Sequence, residues 1–254
     1  MSVYVEYDPW GRMGNRMFQY AFGAILAKLK NTTLLAPALP NFNIPSTSTE
    51  RAVNNPIYTR MYGNNYVNLK ELIETDRDVV VNSFVQKSKY YIEHKQFLKQ
   101  LFNIQDQPFL NKNKLVIHIR ETDYENIGCF LGYECYKQLI NSTSFNDIII
   151  VTDNSECDTV QRLVNEGCTI FSKGYVNEFC THSNERSMTD FAVLLYSENI
   201  AISQSSFSWW AGFLGEHKQV IFPFLEKIKM WNIRPQQDDV DLYYDLGYSL
   251  RYVN

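Results

Sequence analysis

The sequence predicts an α/β protein built on parallel sheets. Strand-like and helix-like segments alternate along most of the chain. Several apolar runs are strand-sized and read as buried strands. Clusters of polar residues follow three of these runs at their carboxyl ends, which is where open α/β sheets hold ligands.

Each element has its own signal. Residues 3–7 read as a first strand. Residues 15–30 read as a helix, because Met17, Tyr20, Ala21, Ala24, Ile25 and Leu29 recur at helical spacing. Residues 37–56 carry four prolines among Ser, Thr and Asn and read as a long loop. A strand is expected at 79–85 and a helix at 91–101. The polar stretch 106–114, with Pro108, reads as a linker. A second α/β unit follows: strands at 115–119, 148–152, 169–171, 199–203 and 220–222, and helices at 133–141, 157–165, 189–197 and 207–214. The chain therefore divides into residues 1–110, residues 111–225, and a mixed aromatic tail, 226–254, expected to pack back on the first domain.

Bulk composition narrows the function. The 254 residues suit one large domain or two small ones, and 45% apolar content is enough for true cores. A formal charge of −4 argues against a general nucleic-acid binder, though not against a local positive pocket. The first residues are strand-like and include Glu6, unlike a signal peptide. No run approaches the ~20 apolar residues of a membrane helix. Cys129, Cys135, Cys157, Cys168 and Cys180 lack metal-ligand spacing and are expected as free thiols, which together with the missing leader implies a soluble cytoplasmic protein. The four histidines are not clustered as metal ligands. Sequences of the H-E-x-x-H, G-x-S-x-G and Walker A kinds are absent.

Three places carry chemistry. At Gly11-Arg12-Met13-Gly14-Asn15 the glycines let backbone approach a ligand, and Arg12 and Asn15 can bond a phosphate or a sugar hydroxyl. The alternative is a tight strand-to-helix turn capped by Asn15. At the end of the 115–119 strand, His118 and Arg120 point to one side, and Arg120 offers a forked cation to a diphosphate. A structural pair between Arg120 and Asp123 is the competing reading. Glu121 places a negative charge beside this proposed anion site. Asp153 ends the next strand and can accept from a ribose hydroxyl or a base N–H, or simply make a turn. Asp190 can bond a nucleobase or cap its helix. In Ser203-Gln204-Ser205-Ser206-Phe207-Ser208-Trp209-Trp210, the hydroxyls and N–H groups of a turn suit a phosphate. Phe207 can pack on a base or sugar, whereas Trp209 and Trp210 are assigned to the core.

Taken jointly, these motifs resemble those of glycosyltransferase family 11, the α-1,2-fucosyltransferases, in the wider α-1,2/α-1,6/protein-O-fucosyltransferase superfamily. Gly11-Arg12-Met13-Gly14-Asn15-Arg16-Met17-Phe18-Gln19-Tyr20-Ala21 resembles G-R-x-G-N-Q-x-x-Q-Y-A. His118-Ile119-Arg120-Glu121-Thr122-Asp123-Tyr124 is similar to H-x-R-R-x-D-Y, and Ser205-Ser206-Phe207-Ser208-Trp209-Trp210 to S-T-F-S-W-W. The three come in the family's order and span most of the chain.

The resemblance implies a GT-B-like fold of two Rossmann-like domains facing a cleft, the first on the acceptor side and the second binding the nucleotide sugar. It implies GDP-β-L-fucose as donor, a glycan acceptor with a galactose-like 2-OH, inversion at the anomeric carbon, and no cofactor or metal. Arg120 would assist departure of the β-phosphate. His118, Asp123, Asp153 and Asp190 would hold the nucleotide, and Ser205, Ser206 and Phe207 would line the diphosphate site. Gly14, Arg12 and Asn15 would approach the donor from the first domain. Two positions depart from the pattern: Glu121 replaces the second Arg of H-x-R-R, and Arg16 replaces the Gln after G-N. The alternatives are another GDP-6-deoxyhexose donor such as GDP-L-rhamnose, or a non-catalytic nucleotide-sugar or glycan-binding homologue.

Overall fold

A computed structural model describes residues 1–48, 53–62, 66–121, 131–171, 186–224, 242 and 246–252. Contacts divide the chain into two units, Met1–Ile104 with Ile233–Tyr244, and Gln105–Asn232 with Asp245–Asn254.

The first unit holds a parallel four-stranded sheet. Its strands are β1 (Ser2–Val5), β2 (Thr33–Leu35), β3 (Ile57–Tyr58) and β4 (Val79–Val81), in the spatial order β2-β1-β4-β3. Val3 lies beside Leu34 on one flank and Val79 on the other. Val79, Val80 and Val81 are fully buried, as expected of a parallel strand covered on both faces. Helix α1 (Met13–Leu29) has an unbroken buried run from Met17 to Ala27, so it is a core helix rather than a surface one. Gly23 permits its approach to the sheet, since a Cβ there would stand 2.6 Å from Val5 Cγ2. Gly23→Ala is expected to destabilise the protein by about 1–3 kcal/mol through overpacking, measured by urea denaturation. An unchanged midpoint would show that Val5 yields freely.

Helix α2 (Leu69–Glu74) was not expected. Six residues are too few to show a period, and its ends are held by side chains. The Asn68 carboxamide accepts from Glu71 N–H at 3.4 Å. The Lys30 ammonium, distant in sequence, donates to the Leu72, Ile73 and Thr75 carbonyls at 2.9, 3.0 and 2.7 Å. The expected helix at 91–101 is one short 3-10 turn (Ile92–His94) followed by α3 (Lys95–Leu101).

The second unit holds six parallel strands: β5 (Leu110–Ile119), β6 (Ile148–Thr152), β7 (Thr169–Ile170), β8 (Ser197–Ala201), β9 (Gln219–Phe224) and β10 (Ser249–Tyr252). Their order, β10-β9-β8-β5-β6-β7, is the Rossmann order 3-2-1-4-5-6 read from the opposite edge. Successive strands are joined through α4 (Gly132–Asn141), α5 (Asp158–Asn165), α6 (Arg186–Tyr196) and α7 (Ser206–Leu214). β5 begins within the stretch read as a linker. Its pairing with β8 jumps register between Leu110 and Leu115, where Asn111 and Asn113 adopt left-handed backbone. That irregularity hides the strand's first half from a period-2 reading.

Of the tail, Ser249–Tyr252 forms β10 and pairs with β9 of the second sheet; residues 225–241 and 243–245 lie outside the described residues.

Side-chain alternation sorts β5 into two faces. Leu115, Ile117 and Ile119 join Leu131, Tyr136 and Leu139 of the α4 region and Val160 and Leu163 of α5 in one core. Val116 and His118 therefore face the opposite side. Trp209 and Trp210 of α7 are fully buried, meet edge-on at 5.0 Å, and Trp209 stacks on Phe213 at 4.8 Å. The two tryptophans are core residues.

Among the described residues, Cys135, Cys157 and Cys168 are free thiols; Cys129 and Cys180 lie outside those residues. No helix of the described residues is long and apolar enough to cross a membrane.

Candidate active site

The connections of the second sheet run outward from β5 to β6 and β7, then return to β8 on its other flank. The topological switch point thus lies between β5 and β8, and ligands in such sheets bind beyond the carboxyl ends of these two strands. The sequence after β5 is Arg120-Glu121; after β8 it is Ile202-Ser203-Gln204-Ser205. Two of the three sequence clusters therefore meet at one place.

His118 is the hub of this place. It is 4% exposed, and its Nδ1 lies 2.7 Å from Ser203 Oγ. Its ring packs on Phe207 at 5.4 Å, and Phe207 meets Phe191 of α6 edge-on at 5.5 Å. Burial, aided by the neighbouring Arg120 cation, lowers the imidazole to about 3, so His118 is neutral at ordinary pH. A neutral ring has one N–H and one lone pair, which suits hydrogen bonding to a base or sugar.

Arg120 and Asp153 continue the register of β5 and β6. His118 pairs with Val151 and Ile119 with Thr152, which sets Arg120 opposite Asp153 on the His118 face. Arg120 Nη1 stands 3.9 Å from Asp153 Oδ2, with side-chain exposures of 14% and 29%. The local turn is made by other residues: Asn154 N–H donates to Thr152 Oγ1 at 3.1 Å and Glu156 N–H to Asn154 Oδ1 at 3.1 Å. The Asp153 carboxylate faces the arginine across this pair.

The hydroxyl-rich turn is more internally bonded than the sequence suggested. Ser205 caps α7, its Oγ accepting from Phe207 N–H at 3.3 Å. Ser208 Oγ accepts from Ser203 N–H at 3.2 Å and contacts the Ser205 carbonyl at 3.3 Å. Ser206 is half-buried and opens the helix. Ser203 and Ser208, which shape this turn and orient His118, were not singled out beforehand. Their signal was the run of serines itself.

Glu121 lies on the other face. Alternation turns it toward Leu131 and Cys157, where a cavity of about 590 Å³ is lined also by Tyr133, Asn154 and Arg162. It is 8% exposed, and its Oε1 has no hydrogen-bond partner among the described residues. Burial, together with this carboxylate beside it, pushes the Cys157 thiol up to about 11. The acidic replacement in the motif is thus kept off the face that carries His118.

Asp190 is the fifth residue of α6, beyond the first turn that a cap serves, and adjoins Phe191. Capping is excluded as its role. Asp123 lies outside the described residues.

The first unit presents its own group. Its sheet order places a switch point between β1 and β4, and the Gly11 turn follows β1 there. Arg12, not Asn15, occupies the N-cap of α1; Gly14 and Asn15 lie in its first turn. Asn15 Oδ1 accepts from Gln86 Nε2 at 2.9 Å. Arg12 is exposed. Arg16 donates from Nε to the Gly11 carbonyl at 2.9 Å, so the residue replacing the motif's Gln braces the turn. Gln19, fully buried, bridges Glu6 and Asp8: it donates to the Glu6 carbonyl at 2.9 Å and accepts from Asp8 N–H at 3.2 Å. Asp8 is engaged by Trp10 N–H at 2.9 Å and by Arg60 at 3.0 Å, whereas Glu6 is exposed.

Among the described residues no group of three His, Cys, Asp or Glu is placed to hold a metal ion.

No protein-family model and no curated protein matches the chain in sequence. Solved structures do match in fold. A mutant of Arabidopsis thaliana FUT1 in complex with GDP aligns over 92% of this chain and 72% of its own, with TM-score 0.50 and 10% identity. POFUT1 in complex with GDP-fucose aligns over 87% and 98%, with TM-score 0.48 and 11% identity. The fucosyltransferase NodZ from Bradyrhizobium aligns over 84% and 92%, with TM-score 0.46 and 10% identity. With its two parallel sheets and a Rossmann strand order in the second, the chain has an α/β fold of the GT-B-like kind.

Proposed function

We propose that this chain is a fucosyltransferase that moves L-fucose from GDP-β-L-fucose to a glycan hydroxyl, the 2-OH of a galactose-like residue, with inversion and without a metal. The observation that carries this reading is the convergence of His118, Ser203, Phe207, Arg120 and Asp153 at the switch point of the second sheet. The motif order and the fold likeness to a GDP-bound fucosyltransferase structure support it.

In such a transfer the bond between the sugar's anomeric carbon and the β-phosphate oxygen breaks while the acceptor oxygen bonds the opposite face. Negative charge grows on the departing GDP. Arg120, the N–H groups opening α7 and the Ser206 hydroxyl are the donors available to that charge, and preorganised donors of this kind are each worth about 3–4 kcal/mol. His118 and Phe207 hold the nucleoside by hydrogen bonding and stacking, Asp153 and Asp190 its ribose and base. By the motif resemblance, Arg12, Gly14 and Asn15 are further donor-binding residues. The acceptor proton passes to a general base as its oxygen attacks.

The test is release of GDP from GDP-fucose and from GDP-L-rhamnose, with galactose-, glucose- and xylose-terminated acceptors and EDTA present. Turnover with GDP-fucose and a galactose-terminated acceptor is expected. Rhamnose-only turnover would replace the donor, GDP binding without turnover would make the chain a binding homologue, and no GDP binding would remove the reading.

A further inference from the structure

Trp10 is the most exposed large apolar side chain among the described residues, at 89%. Its setting is a designed one. Asp8-Pro9-Trp10-Gly11 has the residues of a tight β-turn: Asp first, Pro second, Gly fourth. Gly11 N–H closes it on the Asp8 carbonyl at 2.9 Å, and Asp8 Oδ1 accepts from Trp10 N–H at 2.9 Å. A Cβ on Gly11 would stand 3.1 Å from the Asp8 carbonyl oxygen, so the turn is closely fitted. The turn follows β1 at the switch point of the first sheet. An indole held in water on a proline-stiffened turn adds nothing to the core. The ordering cost of its backbone is already met, which favours a binding platform.

The same carboxylate ties the turn to a second loop. Asp8 Oδ2 pairs with Arg60 Nη2 at 3.0 Å, and Arg60 N–H donates to Asn82 Oδ1 at 3.0 Å. The Arg60 side chain is 54% exposed, so a ligand can reach it. One carboxylate thus ties the turn that carries the indole to a cationic side chain.

From this juxtaposition we infer that Trp10 is a stacking platform for a pyranose ring of the acceptor saccharide, with Arg60 bonding its hydroxyls. This rests on the proposed transferase reading and deepens it. The chemistry favours a sugar over other occupants. One pyranose presents a C–H face about the size of an indole and a rim of hydroxyls. One aromatic side chain is far short of the ~1,200–2,000 Å² of a stable protein interface. The adjacent ion pair is unsuited to a purely apolar lipid chain.

The experiment compares wild type, Trp10→Ala and Trp10→Phe. Binding of galactose-, glucose- and xylose-terminated oligosaccharides is read by saturation-transfer NMR, and GDP binding by calorimetry on the same preparations. Trp10→Ala is expected to weaken saccharide binding, and raise the acceptor KM, by about tenfold or more. Trp10→Phe should retain most of the binding, and GDP affinity should stay within about twofold in both variants. Unchanged saccharide binding in Trp10→Ala overturns the inference, as does a wild type that binds GDP but no saccharide of the panel. Loss of binding to a polypeptide or a lipid vesicle, in place of a saccharide, overturns it in favour of that occupant. A wild type that binds saccharide through Trp10 but no GDP leaves this inference standing and removes the donor reading alone.

Discussion

Arg120→Ala is expected to cut sugar transfer by about 10²–10³-fold or more while the protein stays folded. The loss follows from the chemistry of a leaving diphosphate. The guanidinium is charged at every working pH and presents a planar fork that matches two phosphate oxygens. Its ion-pair partner Asp153 stands 3.9 Å away and is 29% exposed. Removing the arginine leaves that carboxylate within reach of water, so the loss of this one pair should cost no more than about 1 kcal/mol. Arg120→Lys keeps the charge but not the fork, and should recover part of the rate. Turnover by GDP release, GDP affinity by calorimetry and urea midpoints separate these effects. Near-normal turnover in Arg120→Ala would take Arg120 out of the mechanism, and a collapsed urea midpoint would make it structural.

Acidification should expose His118 as a stability switch. In the unfolded chain its imidazole takes up a proton near pH 6.5. In the folded protein it stays neutral down to about 3, because it is buried against Phe207 and beside Arg120. Protonation thus favours the unfolded chain. The contribution of neutral His118 is complete above about pH 6.5 and drains away as pH falls toward 3. Within that window it amounts to as much as about 1.4 kcal/mol per pH unit. Urea denaturation of wild type and His118→Gln at pH 7, 6, 5 and 4 measures it. Carboxylates contribute acid sensitivity to both proteins, so the difference in slope isolates the histidine. A shallower slope in the variant is expected; parallel slopes would show that His118 is protonated in the folded protein. The same burial predicts that His118 contributes no step to a pH–rate profile between pH 5 and 8.

The parts of the fold legible in the sequence were those with long periods or dense apolar runs. Helix α1 was readable because Met17, Tyr20, Ala21, Ala24 and Ile25 repeat over about two and a half turns. β6, expected at 148–152, has those bounds, since Ile148-Ile149-Ile150-Val151 leaves little room for another element. Among the short elements, β2, β3 and α2 escaped: they exist because neighbours complete their hydrogen bonds, as Lys30 does for α2. The first half of β5 escaped because two left-handed asparagines break its alternation.

The candidate site was partly legible for a similar reason. His118, Arg120, Asp153 and the serine turn could be named because each stands at the end of an apolar run. Gln19, Ser203 and Ser208 could not be separated from ordinary polar residues, because only their partners, remote in sequence, make them part of the architecture. The two capping explanations, for Asn15 and Asp190, fail because each helix starts at least two residues earlier than the sequence signal suggested.

By itself the sequence determined that this is an α/β protein, which strands are buried, and which polar residues stand at strand ends; these follow from local periodicity and composition. Tertiary structure alone decided that β8 lies beside β5, and so that Ser203 reaches His118. Strand order is a choice among non-local pairings, and no window of sequence contains both partners. It also decided the fate of Glu121: one step beyond Arg120, it falls to the opposite face of the sheet, where its charge is kept off the face that carries His118.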